Sequence, residues 1–337
     1  MTAHVHSIGA RPAPSLEPMV ALVASDLHAV NGVILARTQS EIPLIPELAG
    51  HLIAGGGKRL RPMLTLACAK LLDYEGARQH KLAAAVEFIH TATLLHDDVV
   101  DGSGLRRGRE TANVIWGNPA SVLVGDFLLS RSFELMIEDG SLKVLRILSQ
   151  AASVIAEGEV SQLTVQRQID TGEDKYLEII AAKTAALFAA ACRIAAVLAE
   201  RDEPAERALD AYGRNLGVAF QLVDDAIDYA STASLMGKGV GDDFRDGKVT
   251  LPVILAYARG ATEDRDFWRA AMRGERAGDA DLAHATTLLR STRALDDTLE
   301  RARMYAQRAI DALGPFPAGK AKAALAEAAE FAVARGY

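Results

Sequence analysis

Two short acidic clusters contain the residues of this sequence best suited to chemistry. HDDVVD and VDDAID share one spacing, in which a pair of aspartates is followed three residues later by a third. The six acids are Asp97, Asp98, Asp101, Asp224, Asp225 and Asp228. In a helix, the first and third acids of each cluster lie on one face. One such cluster is typical of a solvated helix end, but the repeat makes chance a poor explanation.

The chemistry follows from the charge that the clusters would bring together. If both face one site, each close pair of carboxylates costs on the order of 4 kcal/mol at an effective dielectric of about 20. Cations must then hold the site together. Ligands that are all oxygen favour Mg²⁺, a hard ion that keeps waters and is commonly shared with phosphates. The clusters therefore predict several Mg²⁺ ions and a diphosphate ligand.

Two basic clusters offer a second way to hold a diphosphate. GGGKRLRP, residues 55–62, is a glycine-rich turn that leads into a predicted helix, and GLRRGRE follows the first acidic cluster. Their cations are Lys58, Arg59, Arg61, Arg106, Arg107 and Arg109. Helix N-termini and arginine forks suit phosphate oxygens. A capped surface turn and a solvated loop are the alternatives for these two segments.

Single polar residues carry weaker signals. His90 lies two helical turns before the first acidic cluster, although a lone histidine on such a helix is more often structural. Lys183 and Thr184 are polar residues inside an otherwise apolar helix. Lys248 follows Asp246 closely, so it could act only as an ion-pair partner.

Composition limits the function classes. The chain has 337 residues, 50% hydrophobic, and a formal net charge of −7, which argues against nucleic-acid binding. Cys68 and Cys192 lie apart in apolar contexts, so we expect buried, inert thiols in a cytoplasmic protein. We expect no transmembrane segment, because the most apolar stretch, TAALFAAACRIAAVLAE, is interrupted by Arg193 and is predicted to be a core helix.

Helical periodicity predicts an all-α fold. We expect residues 1–14 to be disordered and residues 15–337 to form one domain. Predicted helices begin near Ser15, Ile42, Pro62, Ala77, Pro119, Leu142, Asp174, Pro204, Thr250, Glu263, Asp279 and Gly319. The least regular internal stretch is residues 231–248, for which a surface loop and a functional lid are the two interpretations.

Together these motifs resemble the trans-isoprenyl diphosphate synthases, the polyprenyl synthetase family, from about Gly55 to Pro252. The matching signatures are GGGKRLRP, HDDVVDG with RRG, KTA, FQLVDDAID and GKGVGDDFRDGK. The resemblance implies a single-domain orthogonal helical bundle with a central active-site cavity. It also implies Mg²⁺-dependent condensation of isopentenyl diphosphate with an allylic diphosphate (dimethylallyl, geranyl or farnesyl). The allylic diphosphate ionises, the isopentenyl double bond attacks the carbocation, and a proton is lost.

The resemblance also implies residue roles. Asp97, Asp101 and Asp224 would lead Mg²⁺ binding, with Asp98, Asp225 and Asp228 in or behind that shell. The allylic diphosphate would be held by Arg106, Lys183 and Lys238. Isopentenyl diphosphate would be held by Lys58, Arg61, His90 and Arg107. Thr184 and Gln221 would line the reacting centre, and Lys248 is counted with the substrate-binding residues.

Product length is predicted from the residues upstream of the first acidic cluster. In the family, bulky side chains four and five residues before the first aspartate stop the growing chain early. Here these positions are Thr93 and Ala92, which are small. We therefore expect an all-trans product of octaprenyl to decaprenyl size, of the kind used as a quinone side chain. Phe133 or Leu148 is a candidate for closing the deeper end of the tunnel.

The resemblance further implies a homodimer and allows peripheral membrane contact for product release. The C-terminal AVARGY lacks the basic tail of some relatives, which leaves open whether the C-terminus closes the site. A short-chain synthase is the nearest alternative. A class I terpene cyclase, a metal phosphohydrolase suggested by the His96–Asp97 pair, and a non-catalytic partner subunit of a heteromeric synthase are the others. The intact second acidic cluster counts against all three.

Overall fold

The alanine- and leucine-rich stretches form helices along nearly the whole chain in a computed structural model. It describes residues 13–54, 58–106, 108–230 and 241–335. The helices of the first half are α1 Glu17–Arg37, α2 Leu44–Ala54, α3 Leu60–Leu71, α4 Arg78–Val100, α5 Ala112–Trp116, α6 Asn118–Asp139 and α7 Leu142–Val165. Those of the second half are α8 Glu173–Ile180, α9 Ala186–Leu198, α10 Glu203–Ala230, α11 Asp242–Asp246, α12 Leu251–Arg259, α13 Thr262–Met272, α14 Asp279–Ser291, α15 Ala294–Ala312 and α16 Lys320–Ala334.

Two features depart from regular α-helix. A π-helical turn, Ala181–Ala185, joins α8 to α9 without a break in the helix. Two-residue strands, β1 Leu105–Arg106 and β2 Arg109–Glu110, form an antiparallel hairpin after α4. The all-α prediction is confirmed.

Each of the twelve predicted helix starts lies within two residues of an observed start. The long helix α15 was not predicted. The chain turns before it at Arg293, which has a left-handed backbone (φ 55°). Neither glycine nor proline marks that turn, so the sequence offers no local signal for the break.

The apolar side chains form two buried clusters that share helices α10 and α15. The first lies among α1, α3, α4, α6, α7, α9 and α16, and the second among α8 and α11–α14. Helix α10 contributes Leu216 to the first cluster and Leu222 to the second, and α15 contributes Ala306 to the first and Leu299 to the second. The strongest helix pairings are α4 with α6 and α10 with α15 and α9.

Two helical segments are long and apolar enough to cross a membrane by length and composition alone. The segment Glu173–Leu198 has 78% of its most apolar window buried inside the protein, as expected for a core helix. Helix α1 has 28% of its window buried and packs Met19, Val23 and Ile34 into the core. Core helices often pass this test, so it is weak evidence for a span. Cys68 and Cys192 are both buried, as predicted.

Candidate active site

Both acidic clusters line a central cavity of about 800 Å³. Its walls come from α3, α4, α7, α8, the π-helical turn and α10, together with residues around α11 and the end of α16. Part of the lining is apolar, including Leu94, Ile155, Ile180, Phe188 and Phe220. The cavity therefore combines a charged region with an apolar one, which suits an amphipathic ligand.

The first cluster lies at the end of α4, where the helix dipole is negative. The helix ends at Val100, Asp101 follows as its cap, and Gly102 turns the chain with a left-handed backbone (φ 62°). Asp97 and Asp101 face the cavity. Lys248 Nζ lies 3.0 Å from Asp101 Oδ2, and Lys183 Nζ lies 3.9 Å from Asp97 Oδ2. Lysine ammonium groups thus provide positive charge that this helix end lacks locally.

Glu159, on α7, adds a further carboxylate beside Asp97. Its Oε2 accepts a hydrogen bond from Lys183 Nζ at 2.7 Å, whereas its Oε1 is buried without a hydrogen-bond partner. Burial raises the pKa of Glu159 to about 7. The charge of Lys183 lowers this pKa, and the charge of Asp97 raises it. Burial likewise raises the pKa of Asp97, despite Lys183. Asp97 and Glu159 are therefore neighbouring carboxyl groups that share Lys183 as a cationic partner.

Asp98 has a different environment from its two neighbours in the cluster. Its side chain is 1% exposed and accepts hydrogen bonds from Arg106 Nε at 2.9 Å and from Arg106 Nη2 at 2.7 Å. It lines a small adjacent pocket instead of the large cavity. The β-hairpin that follows α4 brings Arg106 back onto α4, and Asp98 fixes the guanidinium at the cavity edge.

In the second cluster, Asp224 and Asp228 have direct protein partners beside the cavity. Asp224 Oδ1 accepts a hydrogen bond from Arg335 Nη2 at 2.9 Å. Asp228 Oδ2 accepts the backbone N–H of Asp243, at the start of α11, at 3.1 Å. Asp243 itself lines the cavity. The second cluster therefore holds both the C-terminal helix and the segment that carries Lys248.

Asp225 has both carboxylate oxygens occupied by protein donors. Tyr176 donates to Oδ2, and Gln221 Nε2 donates to Oδ1 at 2.7 Å. Gln221 Oε1 in turn accepts from Thr184 Oγ1 at 2.8 Å. Burial, followed by the charge of Asp243, raises the pKa of Asp225 to about 8, although the two donors lower it. Asp225 thus lies behind a polar chain that leads to Thr184.

The π-helical turn places Lys183 and Thr184 on the cavity wall next to each other. In a regular α-helix, consecutive side chains point about 100° apart around the helix axis. A π-helical turn changes this angle locally. A Cβ at Gly158 would lie 2.8 Å from the Lys183 backbone nitrogen, and one at Gly217 would lie 2.6 Å from Ala185 Cα. Helices α7 and α10 therefore approach the turn closely from two sides.

The predicted isopentenyl diphosphate residues that are described lie together on the cavity wall. Lys58 Nζ lies 4.7 Å from the centre of the Phe331 ring. Arg61 contacts His90 Nε2 at 3.0 Å and stacks 4.4 Å above the Phe188 ring. Burial, and then the nearby charge of Arg335, lower the pKa of Lys58. This basic group suits a polyanion.

Lys248 bridges three carboxylates. Besides Asp101, its Nζ lies 3.2 Å from Asp246 Oδ2 and 3.9 Å from Asp243 Oδ1. Burial lowers the pKa of Lys248, but Asp243, Asp101 and Asp246 raise it more, so that the pKa is above its usual range. The ion pair with Asp246 considered from the sequence is present, and the contact with Asp101 adds a link to the first acidic cluster.

Some predicted residues lie outside the described residues: Arg107, Lys238, and Gly55, Gly56 and Gly57 of the glycine-rich turn. Their roles stay predictions.

The cavity residues that were not singled out from the sequence include Glu159, Tyr176, Asp243 and Arg335. Asp243 lies within the quoted GKGVGDDFRDGK, whereas isolated Glu159 and Tyr176 have no distinctive sequence pattern. Arg335 Nη2 also donates to the Phe220 carbonyl at 2.8 Å, and its guanidinium stacks 3.6 Å above the Phe220 ring. Arg335, which directly follows the C-terminal helix, therefore reaches the site.

The residues predicted to set product length differ in position. Thr93 lies on the cavity wall, whereas Ala92 is 2% exposed and packs in the first hydrophobic cluster. Neither Phe133 nor Leu148 lines the cavity: Leu148 is buried in the core, and Phe133 is 36% exposed on α6. Thr93 is thus the position at which a larger side chain would enter the cavity directly.

The donor set fits Mg²⁺. Asp97, Asp101 and Asp224 provide hard oxygen ligands on the cavity wall, and the buried Oε1 of Glu159 is an acceptor without a donor. Among the residues that the structure describes, no three His, Cys, Asp or Glu side chains form a group that could hold a metal ion alone. Oxygen ligands of this kind fit Mg²⁺, a hard ion that is usually bound by one or two carboxylates and keeps several waters.

Several known proteins are similar to this chain in sequence and in fold. The polyprenyl synthetase family profile matches residues 42–289. An octaprenyl diphosphate synthase from Haemophilus influenzae is 43% identical over 96% of this chain and 98% of its own length. A polyprenyl synthase from Caulobacter crescentus, complexed with calcium and isoprenyl diphosphate, superposes with a TM-score of 0.93 at 52% identity, covering 96% of this chain and 99% of that chain.

A decaprenyl diphosphate synthase from Rhodobacter capsulatus superposes with a TM-score of 0.91 at 47% identity, covering 96% of this chain and all of that one. These matches extend over nearly the whole chain, and the predicted isoprenoid synthase fold is confirmed. The chain belongs to the polyprenyl synthetase family and is a prenyltransferase.

Proposed function

We propose that this chain condenses isopentenyl diphosphate head-to-tail with an allylic diphosphate and makes a long-chain all-trans polyprenyl diphosphate. The observation that carries the proposal is the shared cavity. The wall of this one cavity includes acidic residues of both clusters and the basic residues Lys58, Arg61 and His90. Two diphosphates could therefore be held differently: one through cations on carboxylates, and the other on basic side chains.

The residues of the wall account for the main requirements of this reaction. Asp97, Asp101 and Asp224 would hold Mg²⁺, which supplies neutralisation of the charge that develops on the leaving diphosphate. Arg106 and Lys183 would orient the allylic diphosphate at the edge of the acidic clusters. Lys58 and Arg61 would hold isopentenyl diphosphate without ionising it. The apolar wall would exclude water from the carbocation.

The long product is supported by the relatives and by the small side chain at the cavity wall. The similar proteins include octaprenyl, nonaprenyl and decaprenyl diphosphate synthases. Thr93, a small side chain, lines the cavity wall one turn before the first acidic cluster. The proposed product would be of octaprenyl to decaprenyl size and would serve as a quinone side chain.

Product length can be tested at that wall. Thr93→Phe should shift the main product to a shorter polyprenyl diphosphate, because the ring enters the path of the growing chain. Ala92→Phe should also shorten the product, but with a loss of about 1 to 3 kcal/mol of stability, because Ala92 is packed in the core. Unchanged product length in both variants, measured by reverse-phase chromatography, would show that the chain grows in another direction.

We also propose that residues 15–337 form one catalytic domain that acts as a cytoplasmic homodimer. Helix α6 supports a dimer, because Leu123 and Ile137 are each 67% exposed on it and apolar surface of this kind favours association. Light scattering of the purified chain would test the oligomeric state. Contact with a membrane surface for release of the apolar product is part of the same proposal.

The proposal is tested by an assay of the chain alone. The purified chain, isopentenyl diphosphate, farnesyl diphosphate and Mg²⁺ should give long-chain products, and a chelator should stop their formation. Products that end at farnesyl or geranylgeranyl size would favour the short-chain alternative. Cyclic hydrocarbons would indicate a terpene cyclase. Absence of any product would favour a partner subunit.

A further inference from the structure

A buried chain of four polar side chains connects helix α8 to the cavity wall. Tyr176 donates to Asp225, Gln221 donates to the other oxygen of Asp225, and Thr184 donates to Gln221. Tyr176, Asp225 and Thr184 are 5%, 3% and 8% exposed. The chain therefore lies in a region of low effective dielectric, where hydrogen bonds are strong and an unpaired group is costly.

The chain has one direction, which is set by the Gln221 amide. Gln221 turns its NH₂ group towards Asp225 Oδ1 and its carbonyl oxygen towards Thr184. A carbonyl oxygen only accepts hydrogen bonds. The Thr184 hydroxyl must then donate to Gln221 Oε1.

That direction has a consequence at the cavity. With its proton directed to Gln221, the Thr184 hydroxyl presents oxygen lone pairs to its other neighbours, and Thr184 and Gln221 both line the cavity. A lone pair stabilises a nearby cation, whereas a hydroxyl proton pointing at it would repel it. Orientation fixed in advance is worth more than a freely rotating hydroxyl, because no reorganisation is needed as the charge develops.

We propose that Tyr176 is a positioning residue of the condensation, and that through Asp225 and Gln221 it holds the Thr184 hydroxyl oxygen towards the allylic cation. The inference rests on the proposed function, because the cation forms when the allylic C–O bond breaks and its electron pair leaves with the diphosphate. Without the Tyr176 hydroxyl, Asp225 loses one of its two donors, so the carboxylate and the Gln221 amide can both rotate.

The test is a double-mutant cycle in single-turnover condensation. Tyr176→Phe should lower the single-turnover rate constant about ten-fold, and the affinities for both diphosphates should change less than about two-fold. In a Thr184→Val background, the same Tyr176→Phe change should cost less than about two-fold, because the group it positions is already absent. Equal losses in the two backgrounds would overturn the proposal.

Tyr212→Phe is the matched control. Tyr212 is fully buried, its hydroxyl donates to the Leu325 carbonyl at 2.8 Å, and neither residue lines the cavity. Its loss should lower the melting temperature without changing the rate constant. Wild-type turnover in the same assay establishes the condensation itself, so failure of the coupling is distinct from failure of the proposed function.

A second cycle covers the case in which Tyr176→Phe folds poorly. Gln221→Leu cuts the chain between Asp225 and Thr184, and in that background Thr184→Val should cost less than about two-fold. A full Thr184→Val loss there would show that Thr184 acts independently of the chain, and would overturn the proposal.

Discussion

The middle aspartates of the two acidic clusters have the same place in the sequence motif but different partners in the fold. Asp98 is held by the guanidinium of Arg106 through two hydrogen-bonding nitrogens. Asp225 is held by two neutral donors, Tyr176 and Gln221. One partner is a full positive charge at the cavity edge, and the others form a neutral chain inside the protein.

This difference indicates that the outer and the middle aspartates of each motif have different roles. The outer aspartates of both clusters line the cavity, where cations would neutralise them: Asp97, Asp101, Asp224 and Asp228. Asp225 also lines the cavity, but both of its oxygens accept hydrogen bonds from protein donors. Each middle aspartate instead holds a neighbouring group of the wall, namely Arg106 for Asp98 and, through Gln221, Thr184 for Asp225. The middle aspartate of the repeated motif thus pairs with a charged guanidinium in one cluster and with two neutral donors in the other. The partners differ because different elements pack behind the two helices.

The largest effect is expected from removing an outer aspartate. Asp97→Ala should lower turnover by roughly 1000-fold, because the leaving diphosphate loses electrostatic stabilisation. Binding of isopentenyl diphosphate, measured by calorimetry, should be unchanged. Asp210→Ala on the outer face of α10, where the aspartate pairs only with Arg214 in the described contacts, is the control. Equal loss of both properties would argue against separate diphosphate sites.

The middle aspartates should give smaller and unequal losses. Asp98→Asn should lower kcat/KM for the allylic diphosphate by about 100-fold, because it releases a charged guanidinium. Asp225→Asn should lower kcat by about ten-fold with little change in KM, because it disturbs only the hydrogen bonds from two neutral donors, Tyr176 and Gln221.

Asp26→Asn is the control for loss of a buried carboxylate, since Asp26 pairs with His80 and Lys70 away from the cavity. It should lower stability alone. If Asp98→Asn and Asp225→Asn lower the same kinetic parameter by the same factor, the two middle aspartates do not have different roles.

The smallest predicted effect is on stability. The pKa of Glu159 is about 7 in the folded protein, against an ordinary value of 4.5 for an unperturbed glutamate. Between these two pH values, the folded state therefore binds more protons than the unfolded state. Without Mg²⁺, the free energy of unfolding should therefore fall as pH rises from about 4.5 to 7, by up to about 3 kcal/mol.

Glu159→Gln should make this pH dependence shallower, as measured by urea unfolding at a series of pH values. Glu157→Gln, an exposed position on the same helix, should leave it as in the wild type. A pH dependence that is equally steep in Glu159→Gln would show that the carboxyl of Glu159 is not the group responsible.

Much of the fold and of the site could be predicted because the signals are local. Helical periodicity placed twelve helix starts, and the aspartate spacing alone indicated a cation site. Partners from distant segments could not be predicted in this way. Tyr176 and Arg335 reach the cavity because α8 and α16 pack against α10, and Glu159 reaches it because α7 packs against the π-helical turn.

Because sequence patterns do not reveal partners from distant segments, they do not distinguish among the six aspartates of the two clusters. Spacing puts the middle aspartate one residue round the helix from the first, but only tertiary packing decides what it meets there. Arg106 returns on a β-hairpin and Tyr176 comes from a separate helix, so the difference between Asp98 and Asp225 is a property of the fold.

The division between outer and middle aspartates is tested most directly by counting bound Mn²⁺, as a spectroscopic substitute for Mg²⁺, in the presence of inorganic diphosphate. Electron paramagnetic resonance titrations should show that Asp97→Ala and Asp224→Ala each bind fewer ions than the wild type. Asp98→Asn and Asp225→Asn should keep the full number. Loss of an ion in Asp225→Asn equal to that in Asp224→Ala would contradict the account.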